Sequence, residues 1–170
     1  ASCLVGSEMC IRDRYINGTD IFAMNDDELA IFRRRQVGII YQFYNLIPIL
    51  NVEENMAIPM ELDGRKVEKA QMDDMLLRLG LTERRTHLPN ELSGGQQQRT
   101  SIGRALITRP SIVLADEPTG NLDTKASNEI MHLLKTSNRE LNQTIIMITH
   151  NMELAKAADR TIMIEDGKIR

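Results

Sequence analysis

Two adjacent carboxylates, Asp116 and Glu117, directly follow the apolar run IVLA at residues 112–115. Open α/β sheets place their ligands at the carboxyl ends of their strands, although carboxylates at strand ends are often only solvated turn residues. Behind so apolar a run, we interpret Asp116 as a ligand, through water, to a phosphate-bound Mg²⁺. Glu117 is then placed to act as the general base that polarises an attacking water.

Two further polar residues end apolar runs of the same kind. His150 closes the run TIIMITH at 144–150, where it can contact a terminal phosphate or the attacking water. A single histidine is more often structural than catalytic, so both interpretations stay open. Gln42 closes the run VGIIYQ at 37–42, and a neutral amide there can bind Mg²⁺ or touch the water without adding charge. Taken alone, Gln42 would be an ordinary surface residue.

The stretch ELSGGQQQRTSIGRAL at 91–106 places two glycines where a helix begins. Ser93 and Gln96 have the three-residue spacing of a capping box, which predicts that the helix starts at Ser93. Glycine costs about 1 kcal/mol against alanine in a helix, so helix stability does not explain Gly94 and Gly95. Their bare amides at the positive end of a helix dipole are suited to a phosphate. The alternative is a pair of glycines that merely loosens a turn.

Asp123 ends the loop PTGNLD, six residues after Glu117. The loop can face a partner subunit, or Asp123 can simply cap the helix predicted over 123–138. Both interpretations of Asp123 stay open.

These residues need a scaffold, and the rest of the sequence predicts an α/β fold. Near-continuous apolar runs predict buried strands at 37–42, 111–116, 144–150 and 160–169. Such runs are typical of a parallel sheet covered on both faces. A turn signal at Asp166-Gly167 predicts that the last run folds back as a small edge hairpin.

Amphipathic stretches lie between the strands. Met72, Leu76 and Leu79 recur at helical spacing, and Gly80 is placed to terminate that helix. Residues 46–92 are rich in Met, Leu and charge and contain no convincing strand after Ile49, which predicts a helical subdomain inserted into the sheet domain.

Bulk properties exclude several classes of protein. The 170-residue chain is 42% hydrophobic, which is enough for one domain with a real core. Its formal net charge of -3 gives no basic surface for nucleic acid. The apolar runs are too short for a membrane-spanning helix, which needs roughly 18 residues. Both cysteines lie in the first ten residues without metal-like spacing, which favours a reducing cytoplasm.

The ordered series of motifs resembles the ATP-binding cassette (ABC) ATPases. The series runs from a Q-loop at Gln42 through LSGGQ at 92–96, a Walker B run at 112–117 and a D-loop NLD at 121–123 to a switch histidine, His150. The resemblance covers residues 15–170 and implies a P-loop NTPase-type, mostly parallel sheet that is incomplete at its N-terminus. It divides the chain into a sheet core at 15–45 and 109–170 and a helical subdomain at about 46–108.

The same resemblance implies how the site would work. Two ATP molecules, with Mg²⁺, would lie between two head-to-tail subunits, so that each subunit contacts the nucleotide held by the other. The residues expected to do this are Ser93, Gly94, Gly95, Gln96 and Asp123. Two stretches, at 41–62 and 117–123, look most like the branch that serves lipoprotein-release, macrolide-export and cell-division permeases. We therefore expect a homodimer, peripheral on the cytoplasmic membrane face, whose segment Tyr44 to Glu54 receives a permease coupling helix.

One expected motif is missing from the printed sequence. No G-x-x-x-x-G-K-[ST] loop precedes Tyr15, and residues 1–14, which include LVGSEMCIRDR, look foreign to the fold. We expect a fragment whose N-terminus has been replaced, with little or no ATPase activity and poor solubility. The alternatives are a degenerate cassette that only donates its signature motif, or an ABC ATPase of the translation-factor or DNA-repair type.

Overall fold

The computed structural model describes residues 15–170. Among them, strands and helices alternate along the chain, and two short 3₁₀ turns, Thr82–Arg84 and Pro89–Glu91, precede α4. The strands are β1 (Tyr15–Ile16), β2 (Thr19–Asp20), β3 (Val37–Ile40), β4 (Ile112–Asp116), β5 (Thr144–Ile148), β6 (Ile164–Glu165) and β7 (Lys168–Ile169). The helices are α1 (Asp26–Gln36), α2 (Val52–Glu61), α3 (Lys69–Leu79), α4 (Gly94–Leu106), α5 (Thr124–Leu141) and α6 (Met152–Ala155).

The central sheet is parallel, with strand order β3-β4-β5. Burial alternates along each strand: Val113 and Ala115 are buried, whereas Leu114 between them is 37% exposed. The exposed face continues on the neighbouring strands with Ile39 and Ile148. The predicted parallel α/β sheet is confirmed, but the prediction that both faces are covered is wrong, because these side chains are 37–64% exposed.

Two of the predicted strands end earlier than the apolar pattern suggested. The ladder of β3 stops at Ile40 and that of β5 at Ile148, so Gln42 and His150 each lie two residues beyond a strand. The predicted hairpin at Asp166-Gly167 is confirmed, with both residues in the left-handed region. The prediction that residues 160–169 are buried is wrong, since β6 and β7 are exposed and, within residues 15–170, pair only with each other.

Helices α2, α3 and α4 pack together and form much of the core. Leu76 and Ile102 are almost completely buried at their junction. Gly103 is required there, because a Cβ would lie 2.6 Å from Cε of Met56 and 2.7 Å from Cδ1 of Leu79. The predicted end of α3 is confirmed by Gly80, whose φ of 64° closes the helix.

Helix α1 was not predicted from the sequence. It begins with a capping box formed by Asn25 and Glu28. The buried Asp63 carboxylate, just after α2, connects that helix to α1 through an ion pair with Arg35, and it also pairs with Arg65.

No helix within residues 15–170 is long and apolar enough to cross a membrane. The boundaries of the two subdomains stay predictions, and the proposal that residues 1–14 are foreign lies outside the described residues.

Candidate active site

The structure brings Glu117 and His150 together at the carboxyl edge of the sheet. Asp116 of β4 is in register with Ile148 of β5, so the residues that follow the two strands become neighbours. The Glu117 amide donates to the Ile148 carbonyl at 2.9 Å. In return, Glu117 Oε1 accepts a 2.9 Å hydrogen bond from the His150 amide and lies 2.6 Å from His150 Nδ1. The backbone amide and the ring nitrogen of His150 therefore both orient the Glu117 carboxylate.

These two side chains differ in their access to solvent. The Glu117 side chain is 17% exposed, whereas that of His150 is 84% exposed. A partly desolvated carboxylate interacts more strongly with charge than one in water. An exposed imidazole beside it is free to meet a group that arrives from outside. The pair can thus polarise a water at the edge of the sheet and contact an approaching anion.

The backbone at Glu117 adopts a conformation that is uncommon for a side chain of this size. Its φ is +43°, in the left-handed region. Such a conformation costs about 1–3 kcal/mol and persists only where the surroundings hold it. The turn is closed by the Gly120 amide, which donates to the Glu117 carbonyl at 3.0 Å. Strain of this kind is frequently found at functional sites.

Gln42 lies against the same turn. A Cβ placed on Gly120 would be 2.9 Å from the Gln42 amide nitrogen, so the side chain lies directly over this glycine. Asn121 donates from Nδ2 to the Gln42 carbonyl at 3.1 Å. The structure therefore gathers three of the predicted residues, Gln42, Glu117 and His150, around one turn.

Asp116 offers an exposed carboxylate that has no side-chain partner, in a hydrogen bond or an ion pair, within residues 15–170. It is the last residue of β4. No cluster of three or more His, Cys, Asp or Glu side chains in this part of the chain could hold a metal by itself. Mg²⁺ at nucleotide sites needs only one or two protein ligands, because phosphates and water supply the rest. A single exposed carboxylate fits that requirement.

The amino end of α4 forms the predicted capping box. Ser93 Oγ accepts from the Gln96 amide at 3.3 Å, and Gln96 Oε1 accepts from the Ser93 amide at 2.9 Å. The amides of Gly94 and Gly95 lie in the first turn, where a helix has no internal acceptor for them. This end packs beside the first turn of α5, since a Cβ on Gly95 would lie 3.6 Å from Cβ of Ala126, and beside the loop before it, since a Cβ on Gly94 would lie 3.7 Å from Cδ2 of Leu122.

Asp123 lies in that neighbouring loop. It caps α5 by accepting from the Ala126 amide at 2.8 Å, which confirms one of its two interpretations. Among the described residues, no hydrogen bond links the group at Ser93–Gln96 with the side chains of Glu117, His150 or Gln42. One chain thus presents two separate sets of candidate residues.

Comparison with known proteins decides the family. The family model described as "ABC transporter" matches residues 1–120, which is more than half of the chain. The chain belongs to the ABC transporter family. This confirms the resemblance identified from the motif series, and we refer to the chain below as the cassette.

Two relatives agree with that assignment. The cassette is 46% identical over 157 residues to the ABC transporter ATP-binding protein YtrE of Bacillus subtilis, covering 91% of this chain and 68% of that protein. It is 44% identical over 156 residues to the lipoprotein-releasing system ATP-binding protein LolD of Cytophaga hutchinsonii, covering 91% and 71%.

A solved structure of the ATP-binding cassette MJ0796, a dimer bound to ADP and Pi, matches with a TM-score of 0.79 and 38% identity, covering 91% of this chain and 69% of that one. The predicted P-loop NTPase-type α/β fold is thereby confirmed.

The sequence named the segment Tyr44 to Glu54 as a docking segment but gave no sign that its first two residues are bound by helix α4. Tyr44 and Asn45 both have positive φ, of 59° and 47°. Arg104 in α4 holds them, donating to the Tyr44 carbonyl at 2.7 Å and to the Asn45 carbonyl at 2.5 Å. Burial raises the pKa of Tyr44 and lowers the pKa of Arg104. Asparagine tolerates the left-handed region, but tyrosine gives no local signal for it.

Proposed function

We propose that the cassette binds and hydrolyses ATP as half of a dimer and thereby powers a membrane permease. The observation that carries this proposal is the Glu117 carboxylate held 2.6 Å from His150 Nδ1 where two parallel strands end. Membership of the ABC transporter family supports it. So do relatives described as ATP-binding proteins and a neighbour solved as a dimer with ADP and Pi.

The reaction assigns a separate task to each residue of the turn. Glu117 acts as the general base that polarises the attacking water, because its carboxylate is partly desolvated and fixed by the His150 amide. His150 contacts the terminal phosphate through its exposed ring. Gln42 contacts the water or the cation with a neutral amide, so the turn gains no further negative charge.

A Mg²⁺ ion that accompanies the nucleotide would be held by Asp116, through water, and by Gln42. When bound, the ion neutralises charge that develops on the transferred phosphoryl group. The exposed carboxylate of Asp116 supports this role, since no side chain among the described residues occupies it.

The proposal uses two subunits, because within the described part of one chain no hydrogen bond joins Ser93–Gln96 to the side chains of Gln42, Glu117 or His150. In the proposed dimer, Ser93, Gly94, Gly95 and Gln96 close on the terminal phosphate of the nucleotide held by the other subunit. Asp123, beside that helix end, faces the partner as well as capping α5. ATP then joins the subunits, and hydrolysis releases them.

The segment Tyr44 to Glu54 is proposed to receive the permease at the cytoplasmic membrane face. Ile49 within it is 82% exposed, although it is large and apolar. Asn55 fixes the backbone around it: its side chain accepts from the Ile47 amide at 2.8 Å and donates to the Leu50 carbonyl at 2.7 Å. A rigid loop that presents an exposed isoleucine suits a docking surface.

The proposal is tested by Glu117→Gln in the full-length protein encoded by this gene. The amide keeps the shape but cannot act as a base, so we expect ATPase activity to fall by at least about a hundred-fold. ATP should then hold a stable dimer, seen by size-exclusion chromatography with light scattering. Glu83→Gln, an exposed carboxylate in a 3₁₀ turn, is the matched control and should change neither readout. Unchanged turnover in Glu117→Gln would show that Glu117 is not the base. No turnover in the unchanged protein, with no ATP-held dimer in Glu117→Gln, would instead indicate a passive binding module.

A further inference from the structure

Gln98 is a buried polar residue for which neither the motif series nor the proposed reaction gives a role. It lies in α4, five residues after Ser93, and its side chain is completely buried. Its Nε2 donates a 2.7 Å hydrogen bond to the Pro118 carbonyl. Its Oε1 has no partner among the described residues. An apolar side chain would fill this space without a buried Oε1 acceptor of its own, but it would remove the donor to the Pro118 carbonyl. The glutamine is therefore explained by the bond that it makes and not by packing alone.

The carbonyl that Gln98 holds belongs to the turn of the proposed base. Pro118 directly follows Glu117, whose left-handed backbone must be held by its surroundings. Proline has no amide hydrogen, so this residue can be fixed by hydrogen bonding only through its carbonyl. Within residues 15–170, the Gln98 amide is the side-chain group that donates to it.

We propose that Gln98 is a positioning residue that fixes the Glu117 turn to α4. The inference deepens the proposed function, on which it rests, because the turn matters only if Glu117 acts as the base. Gln98 lies little more than one helical turn from Gly94, about 6 Å along the axis. The amino end of α4 is proposed to bind the nucleotide held by the partner subunit, and Glu117 is proposed to act on the nucleotide held by its own subunit. Gln98 thus connects these two parts of one chain.

The test uses Gln98→Met, which keeps the length of the side chain and removes the donor. We expect kcat of the full-length protein to fall about ten- to a hundred-fold, as for other small misplacements of a catalytic group, with KM for ATP unchanged. Hydrogen–deuterium exchange should rise in a peptide that spans 115–122. The exchange measurement needs no turnover, so it still reports on the tie between Gln98 and Pro118 if the proposed ATPase activity fails.

Gln143 provides a matched control. It is also buried, its Nε2 donates to a proline carbonyl, that of Pro110, at 2.9 Å, and its Oε1 also has no partner in the described part of the chain. It lies outside the proposed active site. Gln143→Met should lower the melting temperature about as much as Gln98→Met and leave kcat and exchange at 115–122 unchanged. The proposal would be overturned if Gln98→Met and Gln143→Met had the same kcat, or if their hydrogen–deuterium exchange at 115–122 were the same.

A second variant covers the case in which Gln98→Met does not fold. Gln98→Glu keeps the shape, and its carboxyl can donate to the Pro118 carbonyl only while protonated. Burial raises the pKa of such a carboxyl. Activity relative to the unchanged protein should therefore be highest at low pH and decline as pH rises. A pH profile parallel to that of the unchanged protein would contradict a positioning role.

Discussion

The hydroxyl of Tyr44 lies against the first residue of α4: a Cβ placed on Gly94 would come within 3.0 Å of it. Tyr44 is itself held in a left-handed conformation, with its carbonyl bound by Arg104. The amino end of α4 is therefore covered on one side by a tyrosine from the segment after β3. That segment and the proposed phosphate-binding glycines are in direct contact within one subunit.

This contact predicts that Gly94→Ala disables the cassette without unfolding it. The methyl group must displace Tyr44 or the start of α4, whereas alanine gains about 1 kcal/mol of helix propensity. We expect the melting temperature to change by a few degrees at most and ATP-dependent dimerisation to weaken at least ten-fold. Light scattering at increasing ATP concentration measures the second effect.

A double variant separates the contact from a loss of flexibility at Gly94. Tyr44→Phe removes the hydroxyl that the new methyl group would meet. In Gly94→Ala combined with Tyr44→Phe, dimerisation should recover to within a few-fold of Tyr44→Phe alone. If the double variant dimerises as weakly as Gly94→Ala, contact with the Tyr44 hydroxyl is not the cause of the weakened dimerisation.

Gly120→Ala should move Gln42 out of the proposed site. The added Cβ would approach the Gln42 amide nitrogen to 2.9 Å, and the flexible end of that side chain has to yield. We expect a fall of about ten-fold in kcat with less than about 1 kcal/mol lost from the free energy of unfolding, because no core residue is disturbed. Steady-state ATPase assays and urea denaturation of the full-length protein measure the two quantities. Unchanged kcat would show that the position of Gln42 is not required.

The lowered pKa of the Asp63 carboxyl predicts how the free energy of unfolding depends on pH. The hydrogen bond from Arg35 holds the pKa of the Asp63 carboxyl below its ordinary value, and the charges of Arg35 and Arg65 lower it further, although burial acts in the opposite direction. A carboxyl with a lowered pKa in the folded state contributes stability above its unfolded pKa of about 3.9. That contribution is lost as pH falls through the lower pKa of the folded state.

The measurement is urea denaturation of the unchanged chain and of Asp63→Asn between about pH 6 and pH 2. The difference in free energy of unfolding between them should be constant near neutral pH and shrink as the pH falls below about 4. Asp74→Asn removes an exposed carboxylate that pairs with Arg78 and should show a smaller effect throughout. A difference that grows at low pH would contradict the assigned direction.

Local signals made much of the fold predictable. The turn at Asp166-Gly167, the capping box at Ser93 and the end of α3 at Gly80 are each specified within a few residues, and all three are confirmed. The apolar runs located the central strands. They did not give the strand ends, because Tyr41 and Thr149, which follow the last paired residues Ile40 and Ile148, are themselves residue types that favour strands.

Features that depend on distant neighbours were not predictable. Residues 160–169 contain the apolar run Ile-Met-Ile at 162–164, which is typical of a buried strand, but the exposure of this run depends on what packs against it, which the segment itself does not specify. Arg104 and Tyr44 are 60 residues apart, and Gln98 and Pro118 are 20 apart, so no local period links them. The candidate residues at 42, 117 and 150 could be found because their order along the chain is a family motif. Their roles, the expected inactivity and the poor solubility stay predictions.

Helix α4 holds two loops along its 13 residues, a length of about 20 Å. Its first turn is the proposed phosphate-binding end, Gln98 holds the turn after β4, and Arg104 holds the segment after β3. A stiff helix bonded to two loops transmits a tilt to both of them at once. Fluorophores placed on these two loops should therefore relax with a single shared time constant after rapid mixing with nucleotide.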